Sequence, residues 1–439
     1  MAGAAPDAER SRVLLVGDGD LAREVAEALE ARGGDVRWLE DPAGDTIRAA
    51  LGEHRPGVVA VVSRADAMPL RVALSVRDCD ADVPLLVTIF DPAIARQLEE
   101  NVPGCRVTSL ADVVAPSLAG PLVDPELAAV LPRDGGMVAL RWNGDGFDEA
   151  PLAPERASRA RALARSVLKP YDRSARLFFY GLIGLVAILF FEALGGMIVL
   201  DQTPADAFYG ATKSLATVGP NEDVSDGPSW FKLAIVASTL LALISAACFT
   251  GGLINRLVDT SLTGLVGRRT VPRSDHVVVV GLGQVGLRLC LLLRDCGVPV
   301  VALDDQPDGE NVGLARRLKL PVVIGRGANH ELLRRLSLRD ARSFAAVTPE
   351  DLVNLEAAMT ARSVDGDLRV LLRVGDGRIA DETESLLHVG HVVDVHKTGA
   401  VYIAAVALGS EAEGVAVHEG RAHLLQAPEP VSRTAAAAR

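Results

Sequence analysis

The 439-residue chain is 49% hydrophobic and 23% charged with a mean hydropathy of +0.25, which excludes a disordered chain and exceeds what an ordinary cytosolic enzyme needs. At roughly 150 residues per domain it should hold about three structural units. A net charge of -12 excludes a nucleic-acid binder that works by neutralising phosphates, and five cysteines without a C-x-x-C pair point to neither a disulfide framework nor a structural metal site.

Residues 1–10 are polar with acidic side chains, so no cleavable signal peptide is expected. Residues 12–16 (RVLLV) are a short apolar run ended by Gly17. A helical pattern at 21–31 follows, then a strand at 36–39 and further strand candidates at 58–62, 84–89 and 106–109. Strands separated by helical stretches of a dozen residues predict a parallel, doubly wound sheet.

Two runs, 177–200 and 230–254, exceed the roughly 20 apolar residues that a membrane-crossing helix needs. Arg156, Arg159, Arg161, Arg165, Lys169, Arg173 and Arg176 precede the first run, and Arg256, Arg268, Arg269 and Arg273 follow the second. The connector instead carries Asp201, Asp206, Glu222, Asp223 and Asp226 against Lys213. The positive-inside rule then places both termini in the cytoplasm of a multi-pass plasma-membrane protein. Within the connector, Thr203 can cap a helix with Pro204 at its first position and Asp206 at its third. That helix, to about Ala216, is too short to span. It leads into Thr217, Val218, Gly219, Pro220 and Asn221, extended backbone that is tolerated at membrane depth only beside protein or a water-filled path. Glu192 and Lys213 are charges that must avoid lipid, and a pairing behind the filter-like loop is expected, the alternative being that Glu192 reaches the outer interface. Gly251 and Gly252 offer a hinge or a close helix contact.

After the membrane the α/β grammar returns at 277–280, 285–295, 298–303, 322–324, 344–347 and 369–373. Shifting the first copy by 264 positions lays Gly17 on Gly281, Gly19 on Gly283 and Glu40 on Asp304. Gly281, Gly283 and Gly286 form a G-x-G-x-x-G turn between a strand and a helix. The first glycine permits the turn, the second lets a pyrophosphate approach and the third allows close helix packing, while Asp304 suits a ribose hydroxyl. The first copy has Ala22 at the third glycine and two aspartates, Asp18 and Asp20, in its turn. Gly17, Gly19 and Glu40 therefore make a weaker second nucleotide site, or a structural one. His388, His391 and His396 do not converge on one strand face, so no metal site is expected.

Span, short capped helix, Thr217-Val218-Gly219, span resembles the two-helix potassium-channel pore with its T-V-G-Y-G filter. HVVVVGLGQVG, VVALDD, SFAAVTPEDLVNLEAAMTAR and LLRV resemble the RCK (regulator of potassium conductance) domain, and the first copy looks like a diverged domain of the same kind. The resemblance implies a membrane α-helical pore unit with a re-entrant pore helix, flanked by two α/β Rossmann-like domains. It also implies Gly281, Gly283, Gly286, Asp304 and Arg373 as contacts of NAD or NADH, or alternatively ATP or ADP, with K+ as the transported ion. Pro220 and Asn221 replace the family's Tyr and Gly, and Arg326, between Gly325 and Gly327, replaces an acid and either favours extra phosphate on the ligand or fills the pocket itself.

The expected domains are 1–147 (Rossmann-like), 148–176 (linker), 177–256 (pore unit), 270–408 (dinucleotide-binding) and 409–439 (a partly disordered tail). Two spans cannot enclose a pathway, so a homotetramer in the lipid bilayer, with a small nucleotide ligand and no nucleic acid, is implied. The alternatives are a non-conducting nucleotide sensor or regulatory subunit, and a membrane-anchored dehydrogenase. The latter lacks a Tyr-x-x-x-Lys or His-Asp arrangement, so no enzyme is expected.

Overall fold

Segments that are apolar on both faces belong in the middle of a parallel sheet, and the computed structural model places them there. It describes residues 11–133, 136–153, 173–216, 224–225, 227–258, 271–272, 274–375 and 390–426. Two compact units result, one from residues 1–166 together with 267–439, the other from 167–266.

The first half of the larger unit runs β1 (Arg12–Gly17), α1 (Gly19–Glu30), β2 (Asp35–Leu39), α2 (Gly44–His54), β3 (Val58–Val62), α3 (Ala67–Cys79), β4 (Leu85–Thr88), α4 (Pro92–Asn101), β5 (Cys105–Thr108) and α5 (Leu110–Val123). Its parallel sheet has the order β2-β1-β3-β4-β5, with β3 buried along its whole length. Asp91 caps α4 through the amides of Ala93 and Ile94, and Ser109 caps α5 through that of Asp112. An antiparallel meander follows: β6 (Leu127–Arg133), β7 (Gly136–Trp142) and β8 (Phe147–Leu152). The composition predicts a linker from residue 148. β8 occupies that place unannounced, because as an edge strand it exposes Asp148, Glu149, Ala150 and Pro151 and carries no apolar alternation.

The smaller unit holds α6 (Arg173–Val199), α7 (Pro204–Leu215) and α8 (Ser229–Val258). The stretches Leu177–Val199 and Ser229–Ile254 are long and apolar enough to cross a membrane, with mean hydropathies of 2.4 and 2.2. Thr203 accepts from the Asp206 amide and donates to its carboxylate, so the expected start signal of α7 is built as a cap. Glu192, on α6, is buried and accepts a 2.6 Å hydrogen bond from Ser238 Oγ on α8, not from Lys213. The buried stripe of α7 is Ala207, Gly210, Ala211 and Ser214, and Lys213 lies beside it, which is why the expected pairing fails. The filter-like residues Thr217, Val218, Gly219, Pro220 and Asn221 lie outside the described residues.

The second half runs β9 (Val277–Val280), α9 (Gln284–Asp295), β10 (Val300–Asp304), α10 (Glu310–Arg317), β11 (Val322–Ile324), α11 (His330–Arg335), β12 (Ser343–Ala346), α12 (Asp351–Val364), β13 (Val370–Val374), β14 (His391–Asp394) and α13 (Val395–Ala407). The sheet order β11-β10-β9-β12-β13-β14 is the doubly wound one. The 264-position register holds in the ladders, since the pair Val13–Val36 maps onto Val277–Val300. At the next strand Val13 pairs with Val58 whereas Val277 pairs with Ser343, so the shift there is 285 and the second half contains 21 more residues. They build an edge strand and helix, β11 and α11, that the first half lacks.

Within the tail from residue 409 that the composition predicts to be partly disordered, β15 (Ala412–His418) and β16 (Arg421–Gln426) form a hairpin. Its two-residue turn, Glu419-Gly420, has positive φ at both positions, a turn that a Glu does not advertise. α5 lies against α9 and α13 against α1, so each half hands its last helix to the other. Buried side chains of both halves share one cluster, and the hairpin packs on β6 and β7 through Ala129, Leu131, Leu140, Ala416 and Leu425. Polar ties cross the same seam: Arg288 to Asp112 (2.8 Å), Ser343 Oγ to the Leu122 carbonyl (3.0 Å) and Ser117 Oγ to the Val415 carbonyl (3.0 Å).

Candidate nucleotide cleft and the seam behind it

The strand ends of β9, β10 and β12 open onto a cleft of about 370 Å³. Gly281 turns with φ +95, and a Cβ there would stand 2.9 Å from the Thr348 amide nitrogen. A Cβ on Gly286 would overlap the Gly281 carbonyl oxygen, so this glycine lets α9 pack against its own turn. Gly283 is the N-cap of α9, makes no side-chain cap bond and has open space around its Cβ position. Nothing at this turn blocks a phosphate from the helix N-terminus. Asp304 accepts from the amides of Leu282 (2.7 Å) and Gln306 (2.9 Å), bracing the turn, and lone pairs remain on both oxygens for a ribose hydroxyl.

The lining contains Gly281, Gly283 and Asp304 together with Asp305, Glu310, Glu350 and Glu356, and among the described residues Arg326 is its one basic side chain. Arg373 is not part of the lining. It lies on β13, only 7% exposed, and donates weakly to the Val347 carbonyl (3.4 Å), while its Nε has no partner among the described residues. Burial, then the like charge of Arg64, lowers its pKa to about 10, which still leaves it a cation at neutral pH.

In the first half, a Cβ on Gly17 would overlap the Val62 carbonyl oxygen, and Trp38 Nε1 donates to the Gly17 carbonyl (2.8 Å) where the second half has Ala302. Gly19 rather than Gly17 takes the positive φ, Asp20 pairs with Arg23 (2.9 Å), and Glu40 is exposed beyond β2. The loop that contributes Gly325, Arg326 and Gly327 to the cleft follows β11, which has no counterpart here, so this turn faces no matching wall.

Sequence reasoning missed the polar seam behind the cleft. Asn354 is fully buried. Its side chain accepts from the Thr348 amide and hydroxyl and donates to the carbonyls of Thr348 and Arg373. A lone Asn on a helix whose other buried positions are Ala357, Ala358, Ala361 and Val364 is the signal that could have found it. His396 sits in the first turn of α13, not on a strand. Its Nδ1 donates to the Gly375 carbonyl (2.9 Å) and its Nε2 accepts from Arg64 (2.7 Å), since a guanidinium can only donate. Burial, then Arg64, lowers its pKa to about 4, so the ring is neutral at pH 7.

Fold and cleft together define a class: a doubly wound unit made of two fused Rossmann-like halves, on a chain with two helices long and apolar enough to cross a membrane. Residues 277–394 match the TrkA-N domain, the Rossmann module of RCK proteins. The chain is 22% identical over 248 residues, 53% of its length, to the voltage-gated potassium channel Kch of Escherichia coli, and 33% identical over 116 residues, 25% of its length, to the Trk system potassium uptake protein TrkA of Streptomyces coelicolor. It spans 58% and 49% of those two relatives. Among solved structures, the GsuK channel matches 92% of this chain and 64% of its own at a TM-score of 0.51 and 16% identity, a likeness of fold.

Proposed function

We propose that the chain is the subunit of a homotetrameric potassium-type cation channel whose pore is biased by a dinucleotide or nucleotide bound at the glycine turn. The cleft carries this reading, because it is open at Gly283, braced by Asp304 and embedded in a unit whose two halves share one core. In the proposed arrangement both halves are cytoplasmic, the segment between the two long helices lines the ion path, and four copies enclose it.

The lining also argues for one ligand over another. Among the described residues, five carboxylates against a single guanidinium disfavour a polyanion and offer acceptors for ribose hydroxyls, so NAD or NADH, with fewer negative charges than ATP, is the better complement. Gly281, Gly283 and the α9 N-terminus would hold the pyrophosphate and Asp304 a ribose. Arg373 would contribute long-range positive charge from behind the wall rather than a direct contact. The first half would serve as a partner for the second, with Gly17, Gly19 and Glu40 structural.

Reconstitution in planar bilayers tests the proposal: potassium current that changes when NADH is added to the face bearing the halves is expected. Silence under NADH, NAD and ATP alike would refute the channel and favour a non-conducting sensor, the outcome that Pro220 and Asn221 in place of Tyr and Gly would explain.

A further inference from the structure

The first half reaches the phosphate turn of the second. Gln284, the residue after Gly283, donates from Nε2 to the Arg64 carbonyl (2.9 Å), and Arg64 comes from the loop that follows β3. The Arg64 guanidinium donates to His396, whose ring donates to the Gly375 carbonyl. Both carboxylate oxygens of Asp351 accept from the Gly375 amide (3.0 and 3.1 Å). Three residues on, Asn354 ties the Arg373 carbonyl to Thr348, which lines the cleft. Hydrogen bonds, with the first turn of α12 as one covalent link, therefore connect Thr348 in the cleft lining, through Gly375 after β13, His396 in the first turn of α13 and Arg64, to Gln284 at the glycine turn. Of these, Arg64 belongs to the other half.

We propose that Arg64 is a positioning residue of the nucleotide site: the first half holds the two sides of the second half's cleft in register, so ligand affinity there depends on a side chain from a half without a matching cleft. This rests on reading the cleft as a nucleotide site. Of these links the Gln284–Arg64 bond is exposed, those through His396 and Gly375 are half-buried and the Asn354–Arg373 bond is buried; a mutually satisfied network fixes geometry, and a break at one link frees both ends.

The test uses the full chain in detergent micelles, titrated with NADH and with ATP. Arg64→Ala and Gln284→Ala should each weaken binding about tenfold, and the double variant should be no weaker than the poorer single one, because residues acting in one network are not additive. Arg64→Lys can still donate to His396 and should recover most of the affinity. Without ligand, amide exchange at residues 282–286 and 348–351 should quicken in either variant while the melting temperature of Gln284→Ala, a surface truncation, stays put. Full affinity in both single variants, or losses that multiply in the double one, would overturn the positioning role alone. Failure of the unmodified chain to bind either ligand would overturn it together with the nucleotide reading.

Discussion

Gly283 and Gly286 stand three residues apart in one turn, yet substitution should act on different properties. A Cβ at Gly283 meets nothing within 4 Å, so Gly283→Asp should leave the ligand-free melting temperature unchanged while its bulk and charge abolish the shift produced by NADH. A Cβ at Gly286 overlaps a backbone oxygen that no rotamer can move, so Gly286→Ala should cost about 2 kcal/mol or more in folding, readable as a lowered melting temperature without ligand. His396 adds a pH dependence of known sign. Its pKa of about 4 in the folded chain lies below the ordinary 6.5, so the unfolded chain binds a proton that the folded one refuses, and stability falls as pH drops from about 6.5 toward 4. Burial raises the pKa of Asp112 and Asp394, and carboxylates of that kind gain stability on acidification, so the histidine slope should be cleanest between pH 5 and 6.5. Comparing wild type with His396→Gln by denaturant melts should isolate a difference of roughly 3 kcal/mol at full development, and parallel curves would refute it. The glycines were legible in the sequence because backbone geometry leaves a residue no substitute. The Arg64–His396 bond was not, because it joins positions 332 apart and depends on how two domains dock.

At the scale of elements, the two long helices approach each other through small residues. A Cβ on Gly181 would lie 2.5 Å from the Phe249 amide nitrogen and 2.6 Å from the Ser245 carbonyl oxygen, while Gly251 has open space. Gly181→Leu should therefore separate α6 from α8 and lower the yield of folded protein in detergent, whereas Gly251→Leu should be tolerated in the subunit. An equal loss from both would show that the glycines act through helix propensity and not through contact. α8 runs unbroken through Gly251 and Gly252, so any hinge there is not bent in this conformation. The long helices and central strands were legible because each is apolar for its whole length. The edge elements were not: β8 is solvent-exposed, the hairpin turns at Glu419-Gly420 without a distinctive signal, and the loss of one strand and helix from the first half shows only when strand pairing is known.

At the scale of the whole molecule, the two halves share a core, and a shared core requires both to lie on one side of any membrane. The chain between them must then cross an even number of times, as two spans do. Topology reporters inserted at Gly144 and Gly420, both in exposed turns, should report the same compartment, and a reporter at Ser225 the opposite one. Opposite signals from Gly144 and Gly420 would contradict the shared core as well as the span assignment.

The exchange of last helices also has a consequence in time. α5 is buried on every side in the finished unit, and part of what covers it, α9 and β15, lies beyond the two long helices. At a synthesis rate of 5–20 residues per second, the roughly 290 residues from α5 to β15 take on the order of 15 to 60 seconds. Through that interval the first half must survive with an apolar helix uncovered, while the ribosome is still feeding the hydrophobic runs to the membrane. The protein is thus born with its first half waiting, and limited chaperone capacity should show first as aggregation of chains truncated before residue 277.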